Sequence, residues 1–419
     1  MRIQRHFAFQ PCWSCFLDYF CRARRNTHEN LFGKVKGVAP GKSYPPPRAS
    51  NMIVPRKRRA SRSNLTTGTR ALNILKNLLA SAITSDVGLR LLAPLRSRCL
   101  TVVFLHRFSV PDLGVPGHDP RILGNHLEYL RRHRYRLLSV GDLLNQIDDA
   151  KPLSKNALVF TVDDGYADFA QVAAPVFEAY DCPVTVFLIT DFVSGRIWNW
   201  FDQVEWAFLH TDRSSVGMEF GGESVRLAWP NRLDRFGASD EFVERLKRVR
   251  DGEKGALIRR LGEALEVDIP IATPQQYAGM NWDDVRRCAL SGITYGPHTV
   301  THPILTQVDD GRADTEIFES WRTLTAQTDA AVPVFCYPNG TALDFSSREK
   351  SSVVRAGMRA ALSTIEGSLE SSSAGVSVPD RLAIPRFAYV ENKAGFVQIA
   401  SGIEQKKMRL WRKSRPAGE

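Results

Sequence analysis

From residue 100 onward the chain alternates two hydrophobic patterns. Short continuous apolar runs, LTVVFLH (100–106), RLLSV (136–140), ALVFTV (157–162) and PVTVFLIT (183–190), read as strands. Between them, apolar positions recur every three or four residues in RILGNHLEYLRRH (121–133), VGDLLNQI (140–147) and YADFAQVAAPVFEAY (166–180), which read as helices. The rhythm resumes with WDDVRRCAL (282–290, helix), GITYG (292–296, strand), RADTEIFESWRTLTAQT (312–328, helix) and VPVFCYP (332–338, strand). It closes with SREKSSVVRAG (347–357, helix), RAALST (359–364, strand) and LAIPRF (382–387), a final strand. Continuous apolar strands alternating with amphipathic helices predict parallel strands buried on both faces. There are too many such units for a small open sheet, so the expected fold is α/β, a (β/α) barrel. In such barrels the functional residues gather at the C-terminal ends of the strands.

Residues 195–280 break the rhythm. RIWNWFDQVEWAFL opens the stretch, and DEFVERLKRVRDGEKGALIRRLGEAL (240–265) reads as long surface helices. This is an inserted, mostly helical cap within a domain spanning 99–405. Ahead of the domain, ALNILKNLLASAITSDVGLRLLAPL (71–95) has helical spacing, giving a lead-in over 66–98 that packs on the domain or lies on a membrane surface. Residues 406–419 form a basic C-terminal tail.

The composition, 43% hydrophobic and 24% charged over 419 residues, is ordinary for a globular protein. The charge is not: the net is +11, and residues 1–70 oppose many Arg and Lys with only Asp18 and Glu29. Residues 1–65 are therefore expected to be a solvated, disordered basic segment, with peripheral contact to an anionic membrane as the further option. Nucleic acid is not the expected partner. Seven cysteines without regular spacing do not suggest a disulfide framework, and CWSC (12–15) lacks the second pair a zinc site needs. The apolar stretch 7–20 is interrupted by Gln10, Pro11 and Asp18, a poor signal peptide, so a cytoplasmic or membrane-peripheral location is expected.

The candidate chemistry sits at strand ends. ALVF leads into Asp163–Asp164–Gly165, and YGPHTVTHPIL (295–305) places His298 and His302 four apart, a spacing that on a turn of helix puts both imidazoles on one face. Two adjacent acids repel unless a proton or a cation separates them. Asp164 with the two histidines makes a three-ligand site with room for water, the layout of a catalytic zinc or similar ion. The second carboxylate is then free to take a proton from that water. Trp198, with Trp200 and Phe201, has the chemistry to stack on sugar rings or to anchor the insert, and Tyr166 and Tyr337 are candidate pocket walls.

FTVDDG and HTVTH resemble the first two motifs of the polysaccharide deacetylases, carbohydrate esterase family four or the NodB-homology domain. YPNG (337–340) resembles the third motif of a variant branch, and FLHRF (104–108) and HLEYLRRHRYRLLSVGDLL (126–144) resemble segments ahead of the acidic motif. The resemblance covers roughly residues 100–400. It implies a distorted barrel of the polysaccharide deacetylase type. It also implies metal-dependent removal of acetyl groups, N-acetyl foremost, from a polysaccharide, oligosaccharide or lipid-linked saccharide. Its motifs imply Asp163 as general base, Asp164, His298 and His302 as ligands of a divalent metal, zinc foremost, and a backbone N–H near Asn339 as oxyanion donor.

Two departures stand out. Cys336 occupies the place where many members carry the Arg that orients the base, and Arg386, in IPRF, is the candidate replacement because a guanidinium can fork onto a carboxylate. No His follows His302, so the late His that serves many members as general acid is missing; His106 is the candidate substitute. Without either residue the chain would be a weak or inactive saccharide-binding member of the same fold.

Overall fold

The structure, a computed structural model, describes residues 99–413 apart from 150–155, 221, 232–233, 373–374 and 378–379. The basic segment 1–65, the lead-in 66–98 and the CWSC pair lie outside the described residues, as do 414–419 of the C-terminal tail. The strands are β1 (Cys99–Leu105), β2 (Arg136–Leu138), β3 (Ala157–Val162), β4 (Val184–Leu188), β5 (Ser215–Phe220), β6 (Glu223–Ala228), β7 (Thr294–Pro297), β8 (Val334–Cys336), β9 (Ala360–Leu362), β10 (Leu369–Ser372), β11 (Gly375–Ser377) and β12 (Phe387–Ala388).

Strand β3 organises the sheet. β1 pairs with it in parallel along its whole length, from Leu100 opposite Ala157 to Leu105 opposite Val162. β2 pairs in parallel with its first half (Leu138 opposite Val159), and β4 takes over for its second half (Phe160 opposite Val184). β7 continues in parallel from β4, and β8 and β9 form a separate parallel pair. Single bridges, Tyr295 to Ala331 and Leu362 to Ile384, span the gaps on either side of that pair, and β12 leads back to β1. The circuit is thus a mostly parallel α/β arrangement joined by isolated bridges, not one continuous ladder. The expected strand 382–387 is only the bridge at Ile384 and the two-residue β12, because Pro385 supplies no N–H to a ladder.

Alternate strand residues meet inside the circuit: Leu100, Val102, Val159, Phe187, Val334, Cys336, Ala360 and Leu362 are all buried in one cluster. Gly296 makes this possible. A Cβ there would lie 2.4 Å from the Phe187 ring and 2.7 Å from the Val334 carbonyl.

The insert contains helices Trp200–His210, Asp234–Leu246 and Asp251–Leu265. It also contains an antiparallel hairpin of β5 and β6, which the helical reading of this stretch missed. The hairpin's inward residues Val216, Met218 and Leu227 pack with Phe208, Trp229, Phe242 and Leu261. Alternation over six residues around a Gly–Gly turn was the overlooked signal. Among the described residues no helix is long and apolar enough to cross a membrane.

Candidate metal centre and active site

The Asp163 N–H donates to the Leu105 carbonyl (2.9 Å), which prolongs the β1–β3 ladder by one residue. The backbone then turns sharply, with Asp164 at φ 74° and Gly165 at φ 85°. Glycine suits the second position, where φ is left-handed and a Cβ would press on Leu188 Cδ2 at 2.6 Å. A strand would send adjacent side chains to opposite faces. This left-handed turn instead brings both carboxylates against His298.

Asp163 is met by Arg386, as the sequence reading had it. Nη1 donates to Oδ1 (2.9 Å) and Nη2 to Oδ2 (2.8 Å), a two-pronged pair whose side chains are 0% and 2% exposed. Arg386 also donates from Nε to the Ser363 carbonyl (2.9 Å) and from Nη1 to Thr161 Oγ1 (3.1 Å), so its plane is fixed. Burial alone would raise the Asp163 pKa, but the charge and hydrogen bonds of Arg386 outweigh it and hold the carboxyl below its ordinary value. The Cys336 thiol lies beside the pair, with Arg386 Nη2 3.2 Å from Sγ.

Asp164, His298 and His302 converge, their potential ligand atoms all within 4.8 Å of one another. The two Nε2 atoms lie 3.5 and 3.6 Å from Asp164 Oδ1, too far for good hydrogen bonds, and that buried oxygen has no hydrogen-bond partner among the described residues. His298 Nδ1 is 2.7 Å from the Cys336 carbonyl, so Nδ1 carries a proton and donates, which turns Nε2 toward Asp164; burial opposes ionisation of this ring, but Cys336 and Asp164 outweigh it and raise its pKa well above the ordinary value. Burial pushes His302 down to about 3, so its ring is neutral. Burial also opposes ionisation of Asp164, but the close His298 and the fields of His106 and His302 outweigh it. An orphaned buried carboxylate oxygen facing two imidazole nitrogens at 3.5 and 3.6 Å fits a divalent cation of the kind that takes nitrogen and oxygen ligands.

The histidine pair is not helical, which corrects the i, i+4 reading. Residues 298–304 form a loop in which Thr299 (φ 69°) and His302 (φ 60°) are left-handed. Glu316, fully buried, staples this loop: its carboxylate accepts the Val300 N–H (2.8 Å), the Thr301 N–H (2.9 Å) and the Thr301 hydroxyl (2.6 Å). The sequence reading missed Glu316. The signal was there, since it lies on the core face of helix Asp310–Gln327 with Ala313, Ile317, Ser320 and Leu324.

His106 follows β1 and is a quarter exposed, with Nε2 4.0 Å from Asp163 Oδ2. Burial lowers its pKa, and Asp164 and Asp163 oppose that. Asn339 (φ 59°) lies in the loop after β8; its side-chain amide and the Thr341 N–H and hydroxyl all donate to Asp344 Oδ2, at 2.5, 2.7 and 2.5 Å. Asp344 is a second residue the sequence reading missed.

The three aromatic candidates for sugar contact do not line an open wall. Tyr166 is buried and donates its hydroxyl to Asp202 (2.6 Å). Tyr337 is buried and stacks on Phe345, with centroids 4.1 Å apart. Trp198 is buried against Tyr277 (5.7 Å) and Trp206 (6.4 Å). Apolar faces this large are claimed by the core, as the anchoring alternative for Trp198 had it.

The polysaccharide deacetylase family model matches residues 271–361. A search of curated proteins gave no match. Three solved structures are similar at low identity. The Streptococcus pyogenes deacetylase PplD in complex with acetate is 16% identical, with 73% of this chain and 99% of that chain covered and a TM-score of 0.46. The deacetylase domain of BpsB from Bordetella bronchiseptica is 13% identical over 70% and 96%, with a TM-score of 0.42. IcaB from Ammonifex degensii is 14% identical over 73% and 98%, with a TM-score of 0.44. The matched stretch 271–361 carries His298, His302, Glu316, Cys336 and Asn339, so over this part the chain is similar to the polysaccharide deacetylases, and the match takes in the histidine loop of the donor set.

Proposed function

We propose that the protein is a metal-dependent hydrolase that removes acetyl groups, N-acetyl foremost, from a polysaccharide, oligosaccharide or lipid-linked saccharide. The observation that carries this reading is the adjacency of two differently equipped carboxylates. Asp163 is bound by a guanidinium and left ionised, while Asp164 is aimed with two imidazoles at a common point.

A divalent ion, zinc foremost, held by Asp164, His298 and His302 would supply Lewis-acid activation of water and of the acetyl carbonyl. Asp163 takes the proton of the attacking water, and Arg386 holds it ionised and oriented for that task. The backbone N–H near Asn339 donates to the oxyanion of the tetrahedral intermediate. His106 gives a proton to the departing nitrogen from Nε2, the atom facing Asp163. Water and an acetylated amino sugar thus become acetate and a free amine.

The test is to load the protein with Zn²⁺ and incubate it with a panel of N- and O-acetylated oligosaccharides, measuring acetate and free amine. Acetate release that Asp163→Asn abolishes supports the reading. Stoichiometric metal binding with no acetate from any member of the panel overturns it.

A further inference from the structure

The two histidines are held in different ways. His298 is fixed by its Nδ1 contact to the Cys336 carbonyl. His302 Nδ1 is buried and has no hydrogen-bond partner among the described residues. A ligating imidazole is ordinarily oriented by a bond from its second nitrogen, and losing such support typically costs about 10–100-fold in metal affinity. His302 therefore needs another source of orientation, and the insert provides it. The Phe201 ring meets the imidazole edge-on, with centroids 5.4 Å apart. Trp200 Nε1 donates to the His302 carbonyl (3.2 Å), which holds the left-handed backbone at that residue. Trp200 is itself clamped: the buried Lys254 ammonium lies 4.7 Å from the centre of its ring and is paired with Asp251.

The same short stretch reaches the other side of the donor set. Asn199 Nδ2 donates to the Tyr166 hydroxyl (3.0 Å), which in turn donates to Asp202, and Tyr166 lies two residues beyond Asp164. The far end of the insert returns to the same turn, where the Met280 N–H donates to the Gly165 carbonyl (2.8 Å). The four residues NWFD (199–202) thus touch both the acidic turn and the histidine loop.

We propose that the insert is part of the metal centre's scaffold, with Trp200 and Phe201 as positioning residues for His302. This rests on the metal-binding reading of Asp164, His298 and His302. The experiment separates the two. Zn²⁺ titration of the wild-type full chain, with a competing chromophoric chelator, tests the site itself; no stoichiometric binding there would sink the metal reading before any variant is compared. Trp200→Phe keeps a ring beneath Lys254 and removes the N–H donor. It is expected to weaken Zn²⁺ binding by about 10-fold or more and to alter the visible spectrum of the Co²⁺ form. Trp206→Phe is the control, since it removes an equivalent indole bond (Nε1 to the Asp268 carbonyl, 3.1 Å) from the same helix without touching His302. It should leave affinity and spectrum unchanged. Phe201→Leu removes the ring edge without cutting a hydrogen bond, and carries the same expectation if Trp200→Phe fails to fold. Wild-type affinity and spectrum in both Trp200→Phe and Phe201→Leu, or equal losses in the Trp206→Phe control, would overturn the assignment.

Discussion

Arg386→Met tests the pairing at the heart of the site. Arg386 is 0% and Asp163 2% exposed, and two hydrogen bonds of 2.9 and 2.8 Å join them. Methionine fills much of the volume but leaves the carboxylate buried beside a thiol, with no cation to replace the one lost. Breaking a buried pair from one side costs about 3–5 kcal/mol. Asp163→Asn also destabilises, though less, because Arg386 keeps its bonds to Ser363 and Thr161. The double variant buries no unpaired charge of this pair. It should therefore be more stable than the sum of the single losses predicts, with a coupling of about 2–3 kcal/mol, the upper range for residues in direct contact. Urea denaturation of the four proteins at pH 7 measures the cycle, and m-values that stay constant show that the same transition is compared. A loss below about 1 kcal/mol for Arg386→Met, or additive single losses, would refute the view that this fork sustains a buried charge. Arg386→Lys should fall between, since one ammonium cannot reproduce two parallel bonds.

Glu316→Gln keeps the shape of the loop staple but exchanges charge-assisted acceptance for neutral; about 1.5–3 kcal/mol of stability should be lost, with Zn²⁺ affinity falling alongside it, both read by titration and denaturation. Gly296→Ala should destabilise by about 1–3 kcal/mol because its Cβ collides with the Phe187 ring and a backbone carbonyl, and a thermal melt at wild-type temperature would contradict the close approach. His126 stacks on Phe396 at 4.2 Å, and burial pushes its pKa down to about 4. Above pH 6.5 both folded and unfolded forms are neutral; as pH falls toward 4 only the unfolded chain takes up the proton, so about 3 kcal/mol is lost across that window. His126→Gln should flatten this part of the stability profile, and an unchanged slope would show that another group is responsible. His106→Ala should slow turnover of an amide substrate strongly and of an activated acetyl ester much less, because the ester's leaving group departs without a proton; equal losses on both would remove His106 as the acid.

What the sequence disclosed was mostly local. Strand β3 matches the apolar run ALVFTV residue for residue, because a strand buried on both faces has nothing to hide its pattern. The paired acids and the HxxxH spacing pointed to side chains that the fold brings together, yet the spacing suggested a helix where the chain makes a loop with two left-handed residues. Four-residue separation does not distinguish the two when Glu316, at a distant position, pays the cost of the turn. Arg386 could be nominated from its chemistry, but its fork with Asp163 spans 223 residues of chain and is a product of the fold. The burial of Tyr166, Tyr337 and Trp198 was hidden for a related reason: aromatic residues near a site read as ligand walls until their packing partners are known. Trp200 was in view, but its reach to His302 depends on where the insert docks.

The buried position of Trp198 has a consequence for how the chain folds. It packs against Tyr277 at the opposite end of the insert, with centroids 5.7 Å apart. Pairing β4 with β7 requires residues 189–293 to be looped out, a long closure for two adjacent strands. Once the Trp198–Tyr277 clasp and the insert's own apolar cluster have formed, the slack left to order is only the two short arms, 189–197 and 278–293. Closure entropy grows by about 0.6 kcal/mol per doubling of loop length, so this preassembly reduces the barrier to strand pairing by roughly 1 kcal/mol. Weakening the clasp should therefore slow refolding more than its effect on stability alone would predict, marking the base of the insert as an early-forming contact.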